Sequence, residues 1–358
     1  MRALFVSWPC SLDPSNPAAR GLRTLSHWLA EAGHEVTSLS GGVLGGPIDF
    51  TEELRSVGVT GAGRFRSGSR SLVMYTDRQV HGNLICTVAH NNSVEATDIR
   101  TFVSHGQRLI RDFRPQLRVY AGGERGVSEV VRIARNCSCR VLATAWEFGW
   151  ENRDAFIHAH QVVCISKFLS NHYRNRIGLS SVGYPPPVSS VRQGPLGKMV
   201  LVLQTPPEFG RPAVEELLRL GVPVRIEGWG RDWPDLCSAE FTPPSHDRTE
   251  MFKGVGAVLS ISVDASGSVG AETVMRGVPI VADQNSPIQE TSGQFGRFVA
   301  ESSDNGEAWA MAALELLNNP PSPEEAKSTS LKLYAAEVQR QAYVALMERV
   351  QSTALLTA

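Results

Sequence analysis

Asp264 and Glu272 stand eight positions apart in SVDASGSVGAETVMRGVPI, residues 262–280, with a Gly/Ser turn between them and an apolar strand behind. Asp264 falls in a loop after the strand-like run AVLSISV, and Gly267 permits a tight turn. Ser268, Val269 and Gly270 then open a helix, whose unpaired N–H groups suit a diphosphate. Glu272 lies within the first turns of that helix. A carboxylate there accepts hydrogen bonds from two ribose hydroxyls, and the helix dipole offsets part of its repulsion toward the phosphates. The chemistry these residue types imply is the holding of a sugar nucleotide.

Positioning such a turn takes strands that end on one edge of a sheet. Short apolar, β-branched runs recur between helical patterns: ALFVSW, EVTSL, NLICTVA, LRVYAGG, RVLATAW and QVVCIS in the first half, then MVLVLQ, VPVRIEG, AVLSISV and VPIVAD. Strand, helix, strand repeats predict parallel sheets, here in two Rossmann-like α/β domains. The interval YPPPVSSVRQGPLGK, residues 184–198, concentrates Pro, Gly and Ser between the two series and reads as a hinge. The expected division is residues 1–188 for the first domain, 189–330 for the second and 331–358 for a terminal helical segment rich in Ala, Leu, Glu and Lys. In open parallel sheets ligands bind beyond the carboxyl ends of the strands, so two such domains facing each other predict a cleft between those ends.

Composition narrows the partners. With 358 residues and 42% apolar content, the chain is long enough for two cores of ordinary size. Lys+Arg of 35 against Asp+Glu of 36 supplies no global basic field, which argues against a nucleic-acid partner. Six cysteines are scattered, without the spacing of a zinc knuckle, and read as reduced thiols. The run before Pro9 is too short for a signal-peptide core, and no later run approaches the roughly 20 apolar residues of a membrane helix. The expectation is a cytoplasmic protein, with a peripheral membrane contact left open.

The 262–280 segment resembles the acid-x7-acid signature of the family-four retaining glycosyltransferases, with Asp264, Gly267, Glu272, Gly277 and Pro279 in step with it. The first acid is Asp rather than the usual Glu, and the family's Phe-Gly-Leu-Pro core appears as Ser266, Gly267, Ser268 and Val269. The resemblance implies the GT-B architecture, with the last helix crossing back to the first domain. It also implies roles: Asp264 holding sugar hydroxyls, Glu272 the ribose, and Gly267, Ser268 and Val269 the diphosphate. Glu227 and Gly228, in VRIEGWG, match the strand end that lies close to base and ribose.

The rest of the chain follows the family with departures. Gly33, His34, Glu35 and Val36 match its Gly-His-Glu-Val turn, where His34 reads as a capping or packing residue. The first loop carries Asn16 and Pro17 in place of two phosphate-approaching glycines, leaving Asn16 and Arg20 as candidate acceptor or phosphate contacts. Gly122 and Gly123 would line the acceptor side. Where relatives end a strand in a sugar-reaching His, this chain has Trp146 followed by Glu147. Trp146 either stacks on a sugar face while Glu147 bonds its hydroxyls, or fills a core corner. The family's phosphate-neutralising Lys is replaced by Phe209, after Gly-aligned spacing shifts a cation to Arg211; Arg231 and Lys253 are substitutes.

These readings predict a metal-independent, cofactor-free transferase that moves a sugar from a nucleoside-diphosphate donor to a hydroxyl or amine of a small-molecule, glycan or lipid-linked acceptor. Two rivals remain: a binding protein of the same fold that has lost turnover, and a sugar-nucleotide epimerase of GT-B architecture. Glu272→Gln is expected to weaken nucleotide binding with little change in melting temperature.

Overall fold

The computed structural model describes residues 1–43, 59–67, 70–87, 96–122, 125–135, 139–151, 153–188, 194–203, 205–228, 230–261, 267–322, 324–325, 328–329 and 336–353. The chain divides into two compact units, one of Met1–Ile165, Leu169–Pro187 and Gln339–Ala358, the other of Ser166–Phe168 and Val188–Val338.

In the first unit β1 (Arg2–Pro9) lies between β2 (Glu35–Val43) and β6 (Leu117–Ala121), parallel to both. Its run Ala3–Ser7 is buried at every position, as expected of a strand covered on both faces. Beyond β6 come β7 (Arg140–Ala145), β8 (Gln161–Cys164) and the two-residue β9 (Val182–Gly183), again in parallel. On the other flank β5 (Val80–Thr87) pairs parallel with β2, and β4 (Arg70–Asp77) and β3 (Thr60–Ser67) follow in antiparallel order. The sheet is therefore a parallel core with an antiparallel border. The sequence TGAGRFRS gives β3, the edge strand, no clear apolar alternation, and charge on an edge deters further pairing.

Helix α1 (Pro17–Glu31) begins where the Asn16 carboxamide oxygen accepts the Ala19 N–H at 3.0 Å, with Pro17 in the first helical position. It buries Leu22, Leu25, Trp28 and Leu29 and ends before Gly33, at φ 86°. Gly21 lies on its buried face because the Trp146 ring occupies that space. A Cβ there would stand 1.8 Å from the Trp146 ring. Gly21→Ala is therefore expected to cost about 1–3 kcal/mol, read as a lower denaturant midpoint with an unchanged slope.

The other helices described in this unit are α2 (Ala96–Phe113), α3 (Arg125–Arg135) and α4 (Lys167–Ile177), the last belonging to it from Leu169 on. The last helix, α9 (Ala336–Ser352), belongs with this unit from Gln339 on. Tyr343 is 1% exposed, its ring 6.0 Å from that of Trp28, and its hydroxyl donates to the Pro185 carbonyl at 2.8 Å. His34 joins the amino terminus (2.9 Å) to Glu348 (2.9 Å), so the Gly-His-Glu-Val turn serves to dock this helix. The expected return of the terminal helix to the first domain is what these contacts build.

The second unit carries six parallel strands in the order β12 (Glu240–Thr242), β11 (Val224–Glu227), β10 (Met199–Val202), β13 (Val255–Ser260), β14 (Ile280–Asp283) and β15 (Gly296–Val299). Alternate residues of β10 serve opposite cores, as strand periodicity requires. Val200 and Val202 pack with Leu217 of α5 (Pro207–Arg219) and Trp309 of α8 (Gly306–Asn318). Leu201 packs with Val269 of α6 (Ser268–Arg276) and Ile288 of α7 (Ile288–Ser292). Helices on both faces of a parallel sheet make the unit doubly wound.

Candidate functional site

Helix α6 starts beyond the carboxyl end of β13, the edge at which open parallel sheets bind ligands. Gly267 precedes it at φ 61°, ψ 13°, in the left-handed region. Glycine is needed twice over here, because a Cβ would also stand 2.8 Å from Thr291 Cγ2 and 3.0 Å from the Pro287 carbonyl oxygen. The Thr291 hydroxyl donates to the Gly267 carbonyl at 2.8 Å, so α7 braces the turn. Gly270 allows the two helices to touch, with Thr291 Oγ1 only 2.4 Å from where a Cβ would be. The helix closes at Gly277, φ 75°. Gly267→Ala is expected to shift the first turn of α6 at a stability cost of about 1–3 kcal/mol; an unchanged denaturant midpoint would contradict it.

Every residue from Val269 to Arg276 is buried, Glu272 included at 9% exposure. Its carboxylate is held by two cations. Arg276, one turn on, donates from Nε to Glu272 Oε1 at 3.2 Å, and Arg248 Nε lies 3.0 Å from the same oxygen. Arg248 also donates from Nη1 to Glu227 Oε1 at 2.5 Å, which joins the last residue of β11 to the second turn of α6. Two arginines and two glutamates thus balance in a site where the four side chains are 4–11% exposed. Burial alone would lower the Arg248 pKa, but Glu227 and Glu272 outweigh it and hold it above the ordinary arginine value. For Arg276 burial wins and the direction is downward, with the guanidinium lying 4.3 Å over the Phe252 ring.

The same strand steers the loop that brings Arg248. Arg225, two residues before Glu227 and so on the same face of β11, donates from Nη1 to the carbonyls of Glu250 (3.1 Å), Met251 (2.7 Å) and Lys253 (2.9 Å). Next to Glu227, Gly228 takes φ 150° and donates its N–H to the Thr242 carbonyl at 2.9 Å.

Glu227, Gly228 and Glu272 are therefore gathered in one place, together with the turn of Gly267, Ser268 and Val269. Asp264 and Gly123 lie outside the described residues. Arg211 sits on α5 with its Nη2 donating to the Pro234 carbonyl at 3.0 Å and Nη1 to Glu215 at 3.5 Å. In the first unit Asn16 is the α1 cap, Arg20 sits a turn inside that helix, and Gly122 follows β6 at φ 86°. Trp146 is 6% exposed, packed on Gly21 with its indole N–H donating to Thr144 Oγ1 at 2.9 Å, a packing role inside the unit. Glu147 is exposed at the end of β7, and its carbonyl accepts the Tyr173 hydroxyl. Sequence reasoning missed Arg248 and Arg276. Arg276 was detectable, since it stands four residues after Glu272 on one helix face; Arg248, reached through a loop, gave no local signal.

No protein-family model and no curated protein matches this sequence. Solved structures do match over the whole chain. A glycosyltransferase from Rickettsia africae ESF-5 superposes with a TM-score of 0.64 at 13% identity, covering 97% of this chain and 98% of that one. The catalytic domain of starch synthase IV from Arabidopsis thaliana, bound to ADP and acarbose, gives 0.66 at 9%, covering 99% of each. UDP-GlcNAc 2-epimerase from Neisseria meningitidis, bound to UDP-GlcNAc, gives 0.57 at 9%, covering 98% and 100%. At such identities the likeness establishes the fold, which is GT-B: two parallel-sheet α/β units. Among the described residues no helix is long and apolar enough to cross a membrane, and no group of three His, Cys, Asp or Glu side chains could hold a metal ion.

Proposed function

We propose that the chain is a retaining glycosyltransferase that takes its sugar from a nucleoside diphosphate bound by the second unit. The observation carrying this reading is the start of α6, where a left-handed Gly267 opens a buried helix at a strand's carboxyl end with Glu272 in its second turn. In this reading Gly267, Ser268 and Val269 address the diphosphate, Glu272 the ribose, Glu227 and Gly228 the region of base and ribose, and Asp264 the sugar hydroxyls, with Arg211 adding positive charge. The C–O bond from the anomeric carbon to phosphate breaks, the acceptor oxygen or nitrogen bonds to that carbon from the same face, and the departing phosphate takes the acceptor's proton. Helix N–H groups stabilise the charge on the leaving diphosphate without requiring a metal. Asn16, Arg20, Gly122, Gly123, Glu147 and the neighbourhood of Trp146 are the acceptor side. The acceptor is a hydroxyl or amine of a small molecule, glycan or lipid-linked sugar, and the compartment is the cytoplasm.

Epimerisation is the second reading, favoured by the whole-chain likeness to an epimerase bound to UDP-GlcNAc. A binding protein without turnover is the third, favoured by Phe209 at the place of the family's Lys. Incubation with a panel of UDP-, GDP-, ADP- and dTDP-sugars separates them by product. Release of free nucleoside diphosphate with transfer or hydrolysis is the expected result; an isomerised donor, or binding with no product, would overturn it.

A further inference from the structure

Arg248 is buried among groups that a simple structural ion pair would not need. Its side chain is 4% exposed, and it spans two elements rather than one, reaching Glu227 at the end of β11 with Nη1 and Glu272 on α6 with Nε. Its Nη2 and Nε are both buried with no hydrogen-bond partner among the described residues, Nε meeting Glu272 as an ion pair at 3.0 Å. A guanidinium placed for its own sake would satisfy all its donors, because each one left unmade in a buried site costs about 1–3 kcal/mol. Here the fork is oriented by its charge contacts with the two acids, at the expense of its own hydrogen bonds.

The loop around Arg248 is built to hold that orientation. Asp247 accepts the Thr249 N–H at 3.0 Å, a tight turn around Arg248 itself, and Arg225 fixes three carbonyls of residues 250–253 immediately after it. Arg276 meets Glu272 Oε1 from the other side at 3.2 Å. Two converging cations stop the Glu272 carboxylate from turning about its side-chain torsions. A carboxylate fixed in advance recognises a diol without first losing rotamer freedom, and only a planar fork fixes two acids at once.

We infer that Arg248 is a positioning residue for nucleoside recognition: it aligns Glu272, and through it the selection of ribose over deoxyribose in the nucleotide. This rests on the reading of α6 as the nucleotide site, and it adds a selectivity that depends on a residue outside the acid-x7-acid segment. The guanidinium acts through Glu272 and makes no contact with the ligand in this scheme.

The test is calorimetric titration of the wild type and two variants with UDP, GDP and ADP, each beside its 2′-deoxy and 3′-deoxy form. Arg248→Lys keeps the charge and loses the fork. Arg248→Gln loses the charge but keeps an amide donor for Glu227 and leaves Glu272 paired with Arg276, so that no binding residue is altered. Wild type is expected to prefer one ribonucleotide over its deoxy forms at least about tenfold, the worth of a charge-assisted hydrogen bond. In both variants that ratio is expected to fall toward one, while the ribonucleotide itself binds about tenfold more weakly. Folded variants that keep the wild-type ratio, whatever their melting temperatures, would overturn the inference and leave the nucleotide site standing. A wild type that binds none of these nucleotides would remove both.

Discussion

Asp77→Asn is expected to unfold about 6–12 °C below the wild type at pH 7, from a loss of about 3 kcal/mol in a unit of this size. Asp77 closes β4 with a side chain 4% exposed, and α1 supplies both of its partners. Arg23 donates bidentately, Nε to Oδ2 at 2.6 Å and Nη2 to Oδ1 at 3.0 Å, and His27 donates from Nε2 to Oδ2 at 2.9 Å. Burial pushes the Asp77 pKa up, but the hydrogen bonds from His27 and Arg23 outweigh it and hold the carboxyl well below the usual carboxylate range. The asparagine cannot balance Arg23, whose side chain is only 14% exposed. Because the folded pKa is depressed, the stabilisation is fully present above the unfolded value of about 3.9 and fades as pH falls from there toward the folded value. The gap between the two melting curves should therefore be complete at neutral pH and narrow below about pH 4. Coincident curves at pH 7, or a gap that widens in acid, would show that the β4 border is not pinned to α1 through this carboxylate.

Glu272→Gln is expected to act twice. Affinity for the nucleoside diphosphate should drop about 10–100-fold, as for the loss of a charged acceptor. The protein should also melt several degrees lower, because a neutral amide leaves Arg248 and Arg276 with one carboxylate, Glu227, between them, at a cost of about 2–3 kcal/mol. Sequence alone led to the opposite expectation for stability, since it gave Glu272 ribose hydroxyls as partners and no ion pair within the protein. The structure corrects this: Glu272 is 9% exposed and ion-paired on two sides. Titration well below the onset of melting separates the two effects. Unchanged affinity in the folded variant would remove Glu272 from the nucleotide site, and an unchanged melting temperature would mean that the ion-pair cluster adds nothing to stability.

The parallel cores and the returning last helix were legible because each rests on a local signal. Runs such as VVC and VLV bury at every position, and the last segment lacks Gly and Pro across α9. The strands that escaped notice are β3, whose TGAGRFRS is rich in Gly and Arg, β4, whose short apolar run LVMY sits between polar ends, and β9, β12 and β15, which have two to four residues and carry too little periodicity to be seen. At the site, the Gly267 turn and the position of Glu272 on its helix were readable from spacing. The partners of Glu272 were not, because Arg248 is 24 positions away in the chain and meets it only after β11 and α6 are placed side by side. Trp146 shows the converse: an aromatic at a strand end fits a sugar platform or a core corner equally in sequence, and Gly21 across from it decides for packing.

Amide hydrogen exchange of the intact chain, with and without saturating UDP, GDP, ADP and dTDP, tests the nucleotide site where it is claimed to be. At least one of the four should slow exchange in peptides covering residues 267–276, with the N–H groups of Ser268 and Val269 protected most. Exchange unchanged by all four, or slowed only in segments away from α6, would contradict the assignment of that helix to the diphosphate.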